Sequence, residues 1–278
     1  MSSGLDTVDV RRDLEFARPD GEPLLMDLYR PAGDATVPVC VYLHGGGWAR
    51  GARGDRAEER LAPVARAGIA VASIDYRLSG RAPFPAQLDD ARDAVRWLRG
   101  AGTDHGLDIG RIGAWGASAG GHLASLLGLV PDARDGERGD SSVQAVVAFF
   151  PPTDLLALAE DPPEGPPPPF MVGRPPADPP LEAQLLGLAR AQDDPDRARA
   201  ASPLHQVHAG APPFLLLHGD RDGLIPGVQS SRLAEALAAA GGPVQLLRLA
   251  GANHEDPAFE TPATLGAVGG FLRAALSS

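Results

Sequence analysis

The sequence predicts an α/β fold, in which a mostly parallel central sheet is flanked by helices and entered through an antiparallel hairpin. Three observations support this prediction: an early turn between two alternating segments, later apolar runs rich in valine and isoleucine, and amphipathic stretches that separate those runs. The length of 278 residues suits one large domain of this class. We therefore expect a single domain over residues 1–278, with 151–200 forming an insert or lid over one face.

The hairpin comes first in the chain. Residues 8–17 and 23–29 alternate apolar and polar side chains, which is the period of strands with one buried face. The segment 18–21, Arg-Pro-Asp-Gly, has the proline and glycine chemistry of a tight turn. The two segments are therefore expected to pair as antiparallel strands.

The rest of the sheet is expected to be parallel, because the segments 37–43 and 69–75 are continuous apolar runs, as in strands buried on both faces, and further apolar segments follow. Amphipathic segments with apolar residues three or four apart lie between them and predict helices packed on the sheet. The predicted strands are 37–43, 69–75, 112–115, 143–150, 214–217 and 244–249. The predicted helices are 55–67, 85–99, 122–129, 228–240 and 264–276.

One segment interrupts this alternation. Residues 151–180 include 12 prolines, with 166–169 consecutive, and such a density excludes regular helix or strand. A disordered linker and an ordered loop are the two alternatives, and a polyproline tract is also a ligand for proline-binding domains. Because strands and helices of the same architecture resume afterwards, the sequence favours a loop or lid.

Composition excludes several classes of partner. The 25 basic and 36 acidic residues give a net charge of −11, which disfavours binding to nucleic acid or to an anionic membrane surface. All 25 basic residues are arginine, so Schiff-base chemistry and P-loop phosphate binding by lysine are excluded. No apolar run approaches the ~18 residues of a membrane span. The oligomeric state stays open, with a homodimer as one alternative.

The compartment is inferred from two features. The single cysteine, Cys40, lies in an apolar run and cannot form an internal disulfide. Residues 1–18 mix acidic side chains and arginines without the apolar segment of a secretory signal. A cytoplasmic location is therefore expected.

A serine lies at a predicted junction of strand and helix. Gly116-Ala117-Ser118-Ala119-Gly120 fits the pattern Gly-x-Ser-x-Gly, a short motif that carries little weight alone. Its position after a strand and before a helix predicts a sharp turn that lifts the serine hydroxyl clear of the sheet. A plain glycine-rich turn is the structural alternative.

A second glycine-rich motif follows the predicted strand that ends at residue 43: His44-Gly45-Gly46-Gly47-Trp48. Three consecutive glycines give the backbone the freedom to direct N–H groups at one point, as an oxyanion hole requires. The residue after the serine, Ala119, lies at a helix N-terminus and offers a further N–H. A phosphate cradle is the alternative, but the lysine and the Gly-x-Gly-x-x-Gly spacing of such sites are missing.

A serine hydroxyl is a poor nucleophile at neutral pH, so a base and an orienting acid are required. Among the 7 histidines, His254 lies in a turn just past the last predicted strand, where a side chain can reach back over the strand ends. Two aspartates in one turn, Asp220 and Asp222, compete for the acid. The order serine, acid, histidine, each after a different strand, favours Asp222, whereas Asp220 suits a backbone contact within the turn. Glu255 is too close in sequence to His254 to face its imidazole.

With these motifs in place, the sequence resembles the α/β-hydrolase superfamily, in the branch of hormone-sensitive-lipase-like esterases and bacterial acetyl and feruloyl esterases. The likeness extends over about residues 24–276 and includes blocks beyond the proposed triad, in the family's order. The proline content of 161–180 departs from the family pattern. The matching blocks are 42–48 (Tyr-Leu-His-Gly-Gly-Gly-Trp), 75–78 (Asp-Tyr-Arg-Leu), 84–87 (Phe-Pro-Ala-Gln), 111–124 around the serine, and 201–203 (Ala-Ser-Pro).

The resemblance implies an α/β-hydrolase fold and hydrolysis of a carboxylic ester through an acyl-enzyme. Ser118 would attack the carbonyl carbon, His254 would carry its proton to the leaving alcohol, and Asp222 would orient the imidazole. The low aromatic content of 5% and the proline-dominated insert predict short acyl chains rather than lipid droplets.

The resemblance also implies the remaining site residues. Gly45, Gly46 and Ala119 would bind the oxyanion, while Gly47 and Trp48 would line the substrate pocket. A small-molecule ester is then the expected partner, with neither a metal nor an organic cofactor required.

Three alternatives use the same residues. The triad could act on an amide, as in an arylformamidase or a peptidase, or transfer the acyl group to another alcohol in biosynthesis. The third alternative is a non-catalytic binding protein on the same scaffold. It is disfavoured because such proteins usually lack a triad member, and all three candidates are present here.

Overall fold

The computed structural model describes residues 7–277, which form one eight-stranded sheet covered by helices on both faces. The strands are β1 (Val8–Ala17), β2 (Leu24–Pro31), β3 (Val37–Leu43), β4 (Ala70–Ile74), β5 (Leu107–Ala117), β6 (Val146–Phe149), β7 (Phe214–Gly219) and β8 (Val244–Leu249). Their order is β1-β2-β4-β3-β5-β6-β7-β8. The β1–β2 and β2–β4 pairs are antiparallel and the others parallel, so the predicted hairpin and parallel sheet are confirmed.

The helices are α1 (Ala62–Arg66), α2 (Ala86–Ala101), α3 (Ala119–Leu129), α4 (Asp135–Arg138), α5 (Leu181–Leu186), α6 (Pro195–Ala200), α7 (Val228–Ala239) and α8 (Pro262–Ala275). On one face, α2, α3 and α7 bury residues such as Leu88, Leu123 and Leu233 against the sheet. On the other face, α1 and α8 bury Val64 and Val268. Within the described residues, no helix is long and apolar enough to cross a bilayer.

Several elements begin at points that the sequence pattern does not predict; β6, for example, starts at Val146 instead of residue 143. β5 starts at Leu107 instead of residue 112, because Leu107 pairs with Val37 although the polar residues after it interrupt the apolar pattern. α3 starts at Ala119 instead of residue 122, because its first turn is rich in glycine and gives a weak helical signal. The predicted helix 55–67 opens with a π-helical turn, Ala57–Leu61, and continues as α1.

The proline-rich segment has no strand and no α-helix between residues 151 and 180, as its composition predicts. It leaves the sheet at the carboxyl end of β6, forms one 3₁₀ turn at Pro169–Met171, and leads into α5. Asp161 fixes its beginning to α7, because its carboxylate accepts hydrogen bonds from Arg232 at 2.7 and 2.8 Å and from Gln229 at 2.6 Å. The segment therefore lies against the domain along a defined path.

Candidate active site

The candidate nucleophile lies in the sharp turn between β5 and α3. Ser118 has φ 54° and ψ −120°, a conformation that is unfavourable for any residue except glycine. Its N–H donates to the Phe149 carbonyl oxygen at 2.9 Å, and its carbonyl oxygen accepts from the His122 N–H at 3.0 Å. These bonds hold a strained turn at the carboxyl end of β5, with the serine projecting from the sheet.

Two glycines make this turn possible, because the chain passes too close to its neighbours to admit a side chain. A Cβ on Gly120 would lie 1.9 Å from the Leu43 carbonyl oxygen. A Cβ on Gly116 would lie 2.2 Å from the Gly120 carbonyl oxygen. The two glycines of the motif thus bring the end of β3 against the start of α3, and Ser118 comes to lie beside the glycine loop that follows β3.

The structure brings together the three residues that the sequence singled out for a triad. His254 Nε2 lies 3.0 Å from Ser118 Oγ, and His254 Nδ1 lies 2.8 Å from Asp222 Oδ2. The side chains are almost buried, with exposed fractions of 8% for Ser118, 0% for Asp222 and 3% for His254. Because a carboxylate only accepts hydrogen bonds, His254 carries its proton on Nδ1, and Nε2 is free to accept the serine proton.

Asp222 is held by hydrogen bonds on both carboxylate oxygens. The N–H groups of Leu224 and Ile225 each donate to Oδ1 at 2.8 Å, while His218 Nε2 lies 3.3 Å from Oδ2. Burial alone raises the pKa of the Asp222 carboxyl, but hydrogen bonds and charge interactions with His218 and His254 outweigh it and lower the pKa below its usual value. Asp222 therefore stays ionised beside His254 at neutral pH.

The two competing acids have other partners. Asp220 Oδ1 accepts from the Gly251 N–H at 2.7 Å and so ties the turn after β7 to the turn after β8. Glu255 faces Arg60 instead of the imidazole, with Oε2 at 2.7 Å from the guanidinium. Both placements agree with the sequence argument that favours Asp222.

The oxyanion-hole candidates lie beside the serine. A Cβ on Gly45 would lie 3.6 Å from Ser118 Cβ. The glycine loop is therefore in direct contact with the sharp turn at Ser118, residues 116–120, which we call the elbow. The hydrogen bonds within residues 7–277 include none from the N–H groups of Gly45 and Gly46. Ala119 is the first residue of α3, where a helix leaves its N–H without an intrahelical acceptor. Three unused donors therefore flank Ser118.

His44 braces the glycine loop from inside. Its side chain is 1% exposed, and its Nδ1 lies 2.7 Å from the Gly45 carbonyl oxygen, so Nδ1 carries the proton. Its ring stacks on Tyr76 with 4.3 Å between centroids, and the Tyr76 hydroxyl donates to the His44 carbonyl oxygen at 2.9 Å. Burial lowers the pKa of His44, which keeps the imidazole neutral.

Trp48 and His122 form a second brace. Trp48 Nε1 donates to His122 Nδ1 at 3.2 Å, and His122 Nε2 lies 2.6 Å from the Ala201 carbonyl oxygen. Burial lowers the pKa of His122 to about 4, so this imidazole is neutral at pH 7. The Trp48 side chain is only 3% exposed, which places it in the packing beneath the loop. Its contact with a substrate stays a prediction, as does that of Gly47.

A buried ion cluster lies behind the histidine. Arg60, which is 0% exposed, donates to Glu255 at 2.7 Å, to Glu260 at 2.5 Å and to the Tyr42 hydroxyl at 3.0 Å. Burial lowers the pKa of Arg60, but the attraction of these partners outweighs it and raises the pKa overall. The cluster balances the charge of Glu255, whose other oxygen points towards Gly45.

The proline-rich segment reaches the site at two points. The Glu164 N–H donates to the Asp222 carbonyl oxygen at 3.0 Å. Asn253 joins three loops: its Nδ2 donates to the Pro166 carbonyl oxygen at 2.9 Å, while its Oδ1 accepts from the N–H groups of Gly223 at 2.9 Å and His254 at 2.7 Å. The segment is therefore bonded to the backbone of the turns that hold the acid and the base.

Aromatic and aliphatic side chains border the base and the glycine loop. The Phe150 ring lies 4.4 Å from the His254 ring, and the half-exposed Phe170 ring of the proline-rich segment lies 6.5 Å from it. Leu181, the first residue of α5, approaches the glycine loop, since a Cβ on Gly47 would lie 2.4 Å from its Cδ1. These side chains form an apolar border around the buried relay of hydrogen bonds that joins Ser118, His254 and Asp222.

Sequence reasoning missed two residues near the triad: His218, which faces Asp222, and Arg60, which pairs with the neighbour of His254, Glu255. His218 lies near the end of β7 and Asp222 in the turn that follows, and the path of this turn, which brings the two side chains to 3.3 Å, leaves no local pattern in the sequence. Arg60 gave no local signal, because its partners Glu255 and Glu260 lie far away in the chain. Within the described residues, no group of three or more His, Cys, Asp or Glu side chains has an arrangement suited to a metal ion.

The sequence of the chain is similar to that of a known protein family and of a named esterase. Residues 26–237 match the BD-FAE family. Esterase LipQ of Mycobacterium tuberculosis is 32% identical over 255 residues, which cover 89% of this chain and 57% of LipQ. The chain thus spans little more than half the length of this curated relative.

Solved structures extend over the whole fold. A truncated carbohydrate esterase from gut microbiota superposes with a TM-score of 0.84 at 25% identity, covering 98% of both chains. An esterase from Thermogutta terrifontis, Est2, gives a TM-score of 0.74 at 27% identity, covering 97% of this chain and 93% of Est2. Est2 has also been solved with propionate bound, with butyrate bound, and phosphorylated by paraoxon.

Proposed function

The chain belongs to the BD-FAE family of α/β-hydrolases, and from this membership and the site geometry we propose that it is a serine esterase acting on short-chain carboxylic esters. The observation that carries the proposal is the hydrogen-bonded relay from Ser118 Oγ through His254 to Asp222, with distances of 3.0 and 2.8 Å. A relay of this kind activates a hydroxyl that is otherwise a poor nucleophile.

The reaction follows from the direction of the hydrogen bonds. His254 Nε2 takes the hydroxyl proton as Ser118 Oγ bonds to the ester carbonyl carbon, and Asp222 stabilises the imidazolium that forms. The imidazolium returns the proton to the alcohol oxygen as the carbon–oxygen bond breaks, which leaves an acyl-serine. Water then attacks the acyl-serine by the same proton route, releases the acid and restores the hydroxyl of Ser118.

The negative charge that develops on the carbonyl oxygen is assigned to the unused donors beside Ser118. The N–H groups of Gly45 and Gly46 approach from the loop after β3, and that of Ala119 from the start of α3. Each such donor typically lowers the barrier by ~3 kcal/mol, because it is already oriented before the charge appears. The brace of His44 and Tyr76 keeps the loop in place.

The substrate border is assigned to the lid, residues 151–200. Its Phe170 ring lies 6.5 Å from the His254 ring, and its Leu181 contacts the glycine loop at Gly47. An apolar border of this size suits a small acyl group, and the related Est2 binds propionate and butyrate. We assign the lid to selection of the substrate rather than to the bond-breaking steps.

The proposal includes a cytoplasmic location and a small-molecule ester as the partner. One cysteine, Cys40, is buried, and burial raises the pKa of its thiol, so this site neither forms an internal disulfide nor acts as a reactive thiolate. An acidic chain without lysine offers little to nucleic acid or to an anionic membrane.

A substrate panel tests this proposal against its alternatives. We expect p-nitrophenyl acetate and butyrate to be hydrolysed faster than the decanoate, and the p-nitroanilide of acetate to be nearly inert. An added short alcohol should divert only a minor share of the acyl group. Ser118→Ala serves as the control for background hydrolysis. Faster cleavage of the anilide than of the esters would support an amidase. Transfer of most of the acyl group to the alcohol would support an acyltransferase. Equal hydrolysis rates for the wild type and the Ser118→Ala variant would support a binding protein.

A further inference from the structure

A second imidazole contacts the acid of the relay. His218 belongs to β7 and is 0% exposed, as is Asp222. Its Nε2 lies 3.3 Å from Asp222 Oδ2, the same oxygen that lies 2.8 Å from His254 Nδ1. Two histidines therefore face one buried carboxylate oxygen, and the ester mechanism above uses only one of them.

The surroundings of His218 determine which nitrogen carries its proton. Nε2 faces two acceptors, the Ile225 carbonyl oxygen at 2.9 Å and Asp222 Oδ2, so Nε2 is protonated. Nδ1 lies 2.7 Å from Ser230 Oγ, and therefore accepts the proton of that hydroxyl. Ser230, which is buried in α7, thus adds a donor at Nδ1 that favours the same tautomer of His218.

We propose that His218 is a positioning residue, which directs Asp222 Oδ2 towards His254 and weakens its hold on the imidazolium by facing the same oxygen. The first effect follows from geometry, because Oδ1 is held by the N–H groups of Leu224 and Ile225. The Nε2–H of His218, which donates to the Ile225 carbonyl oxygen at 2.9 Å, also lies 3.3 Å from Oδ2 and attracts that oxygen. The second effect is electrostatic, because an N–H dipole 3.3 Å from Oδ2 offsets part of the negative charge that attracts the imidazolium. Ser230 supports both effects through the tautomer.

The charged groups near this cluster are few. Among residues 7–277, His218 contacts Asp222 as its one charged partner. His254 faces Asp222 and is near Glu255, whose charge is balanced by Arg60 at 2.7 Å and by Arg56 at 3.8 Å. Since none of these other groups is altered by a change at residue 218, a shift in the titration of His254 can be assigned to the loss of the His218 N–H beside Asp222 Oδ2.

Three variants test the proposal, which rests on the proposed esterase function. His218→Leu removes the donor, His218→Gln keeps an N–H at a similar distance from the backbone, and Ser230→Ala keeps the imidazole but removes the hydroxyl that donates to its Nδ1. In His218→Leu we expect kcat for p-nitrophenyl acetate to fall about tenfold with KM nearly unchanged, as for other residues that orient a functional group. The acid limb of the kcat/KM profile of His218→Leu should move to higher pH. His218→Gln should restore most of kcat and most of the wild-type pH profile. Ser230→Ala should give values between those of the wild type and His218→Leu.

A second readout separates this proposal from the esterase assignment. ¹⁵N NMR of histidine-labelled protein follows the titration of His254 without any substrate. A midpoint at higher pH in His218→Leu and Ser230→Ala than in wild type supports the positioning role even if no ester is cleaved. If His218→Leu lowers only the thermal stability, and leaves both the His254 titration midpoint and the acid limb of the kcat/KM profile unchanged, then His218 is only structural. If His218→Leu does not fold, the same two outcomes are decided on His218→Asn, whose shorter amide keeps a polar side chain but does not reach Asp222.

Discussion

The elbow and the proline-rich segment meet at the same site but are built in opposite ways. Around Ser118, glycines bring backbones into contact, and the three relay side chains are almost buried. In the proline-rich segment, Phe170 is 39% exposed and Val172 is 71% exposed, while a few hydrogen bonds through Asp161, Glu164 and Pro166 hold the backbone. Bond breaking is thus assigned to the tightly packed elbow, and substrate choice to the proline-rich segment, whose side chains face solvent.

The largest effect is expected at the elbow. Ser118→Ala should lower kcat for p-nitrophenyl acetate by about 10⁶-fold, and His254→Ala should be nearly as severe. The double variant should be no worse than either single one, because the residues act as a unit. Steady-state kinetics of the three variants, with circular dichroism to show folding, checks this. Losses that add in the double variant would contradict the relay.

The next effect separates the two aspartates of one turn. Asp222→Asn should lower kcat by about 10⁴-fold, because an amide no longer selects the tautomer with the proton on Nδ1. Asp220→Asn is the matched control: it weakens the bond to the Gly251 N–H and should reduce thermal stability with little loss of turnover. If Asp220→Asn were the more damaging change to kcat, the acid would be wrongly assigned.

The buried brace beneath the elbow should make stability depend on pH. His122 titrates at 6.5 when unfolded, whereas burial lowers its pKa to about 4 in the folded protein. Between these values the unfolded chain binds a proton that the folded protein does not, so the free energy of unfolding should fall with falling pH, by up to about 3 kcal/mol in total. Urea unfolding at several pH values measures this.

A pair of histidine variants isolates that contribution. In His122→Gln the stability should vary less between pH 6.5 and pH 4, whereas the exposed His208→Gln should keep the wild-type dependence. Parallel stability curves for wild type and His122→Gln would show that the acid sensitivity has another origin.

The smallest effect is expected in the proline-rich segment. Phe170→Ala should raise KM for p-nitrophenyl butyrate about three- to tenfold and leave the acetate nearly unchanged, because the lost contact is apolar and lies beyond the carbonyl group. Val172→Ala, in the same segment but more exposed, is the control. Equal losses on both esters would place Phe170 with the catalytic groups, and no loss on either would remove the segment from substrate selection.

The same contrast explains how much the sequence reveals. The continuously apolar strand β3 and the alternating strands β1 and β8 have the predicted bounds, because burial leaves a periodic pattern. The relay residues could be proposed because each follows a strand in a short motif. The contact of His218 with Asp222 and the partners of Arg60 depend on how separate turns pack, and no local pattern encodes them. The path of the proline-rich segment is equally hidden, because it is fixed by single bonds such as that from Asn253 to Pro166.

Site-resolved labelling with paraoxon tests the central claim most directly. Trypsin should release the peptide 112–134, whose two serines are Ser118 and the buried Ser125. We expect one diethylphosphoryl group per chain, on Ser118, with esterase activity lost in proportion to labelling and no labelling in His254→Ala. A label on another residue, or full activity in a protein labelled at Ser118, would contradict the account.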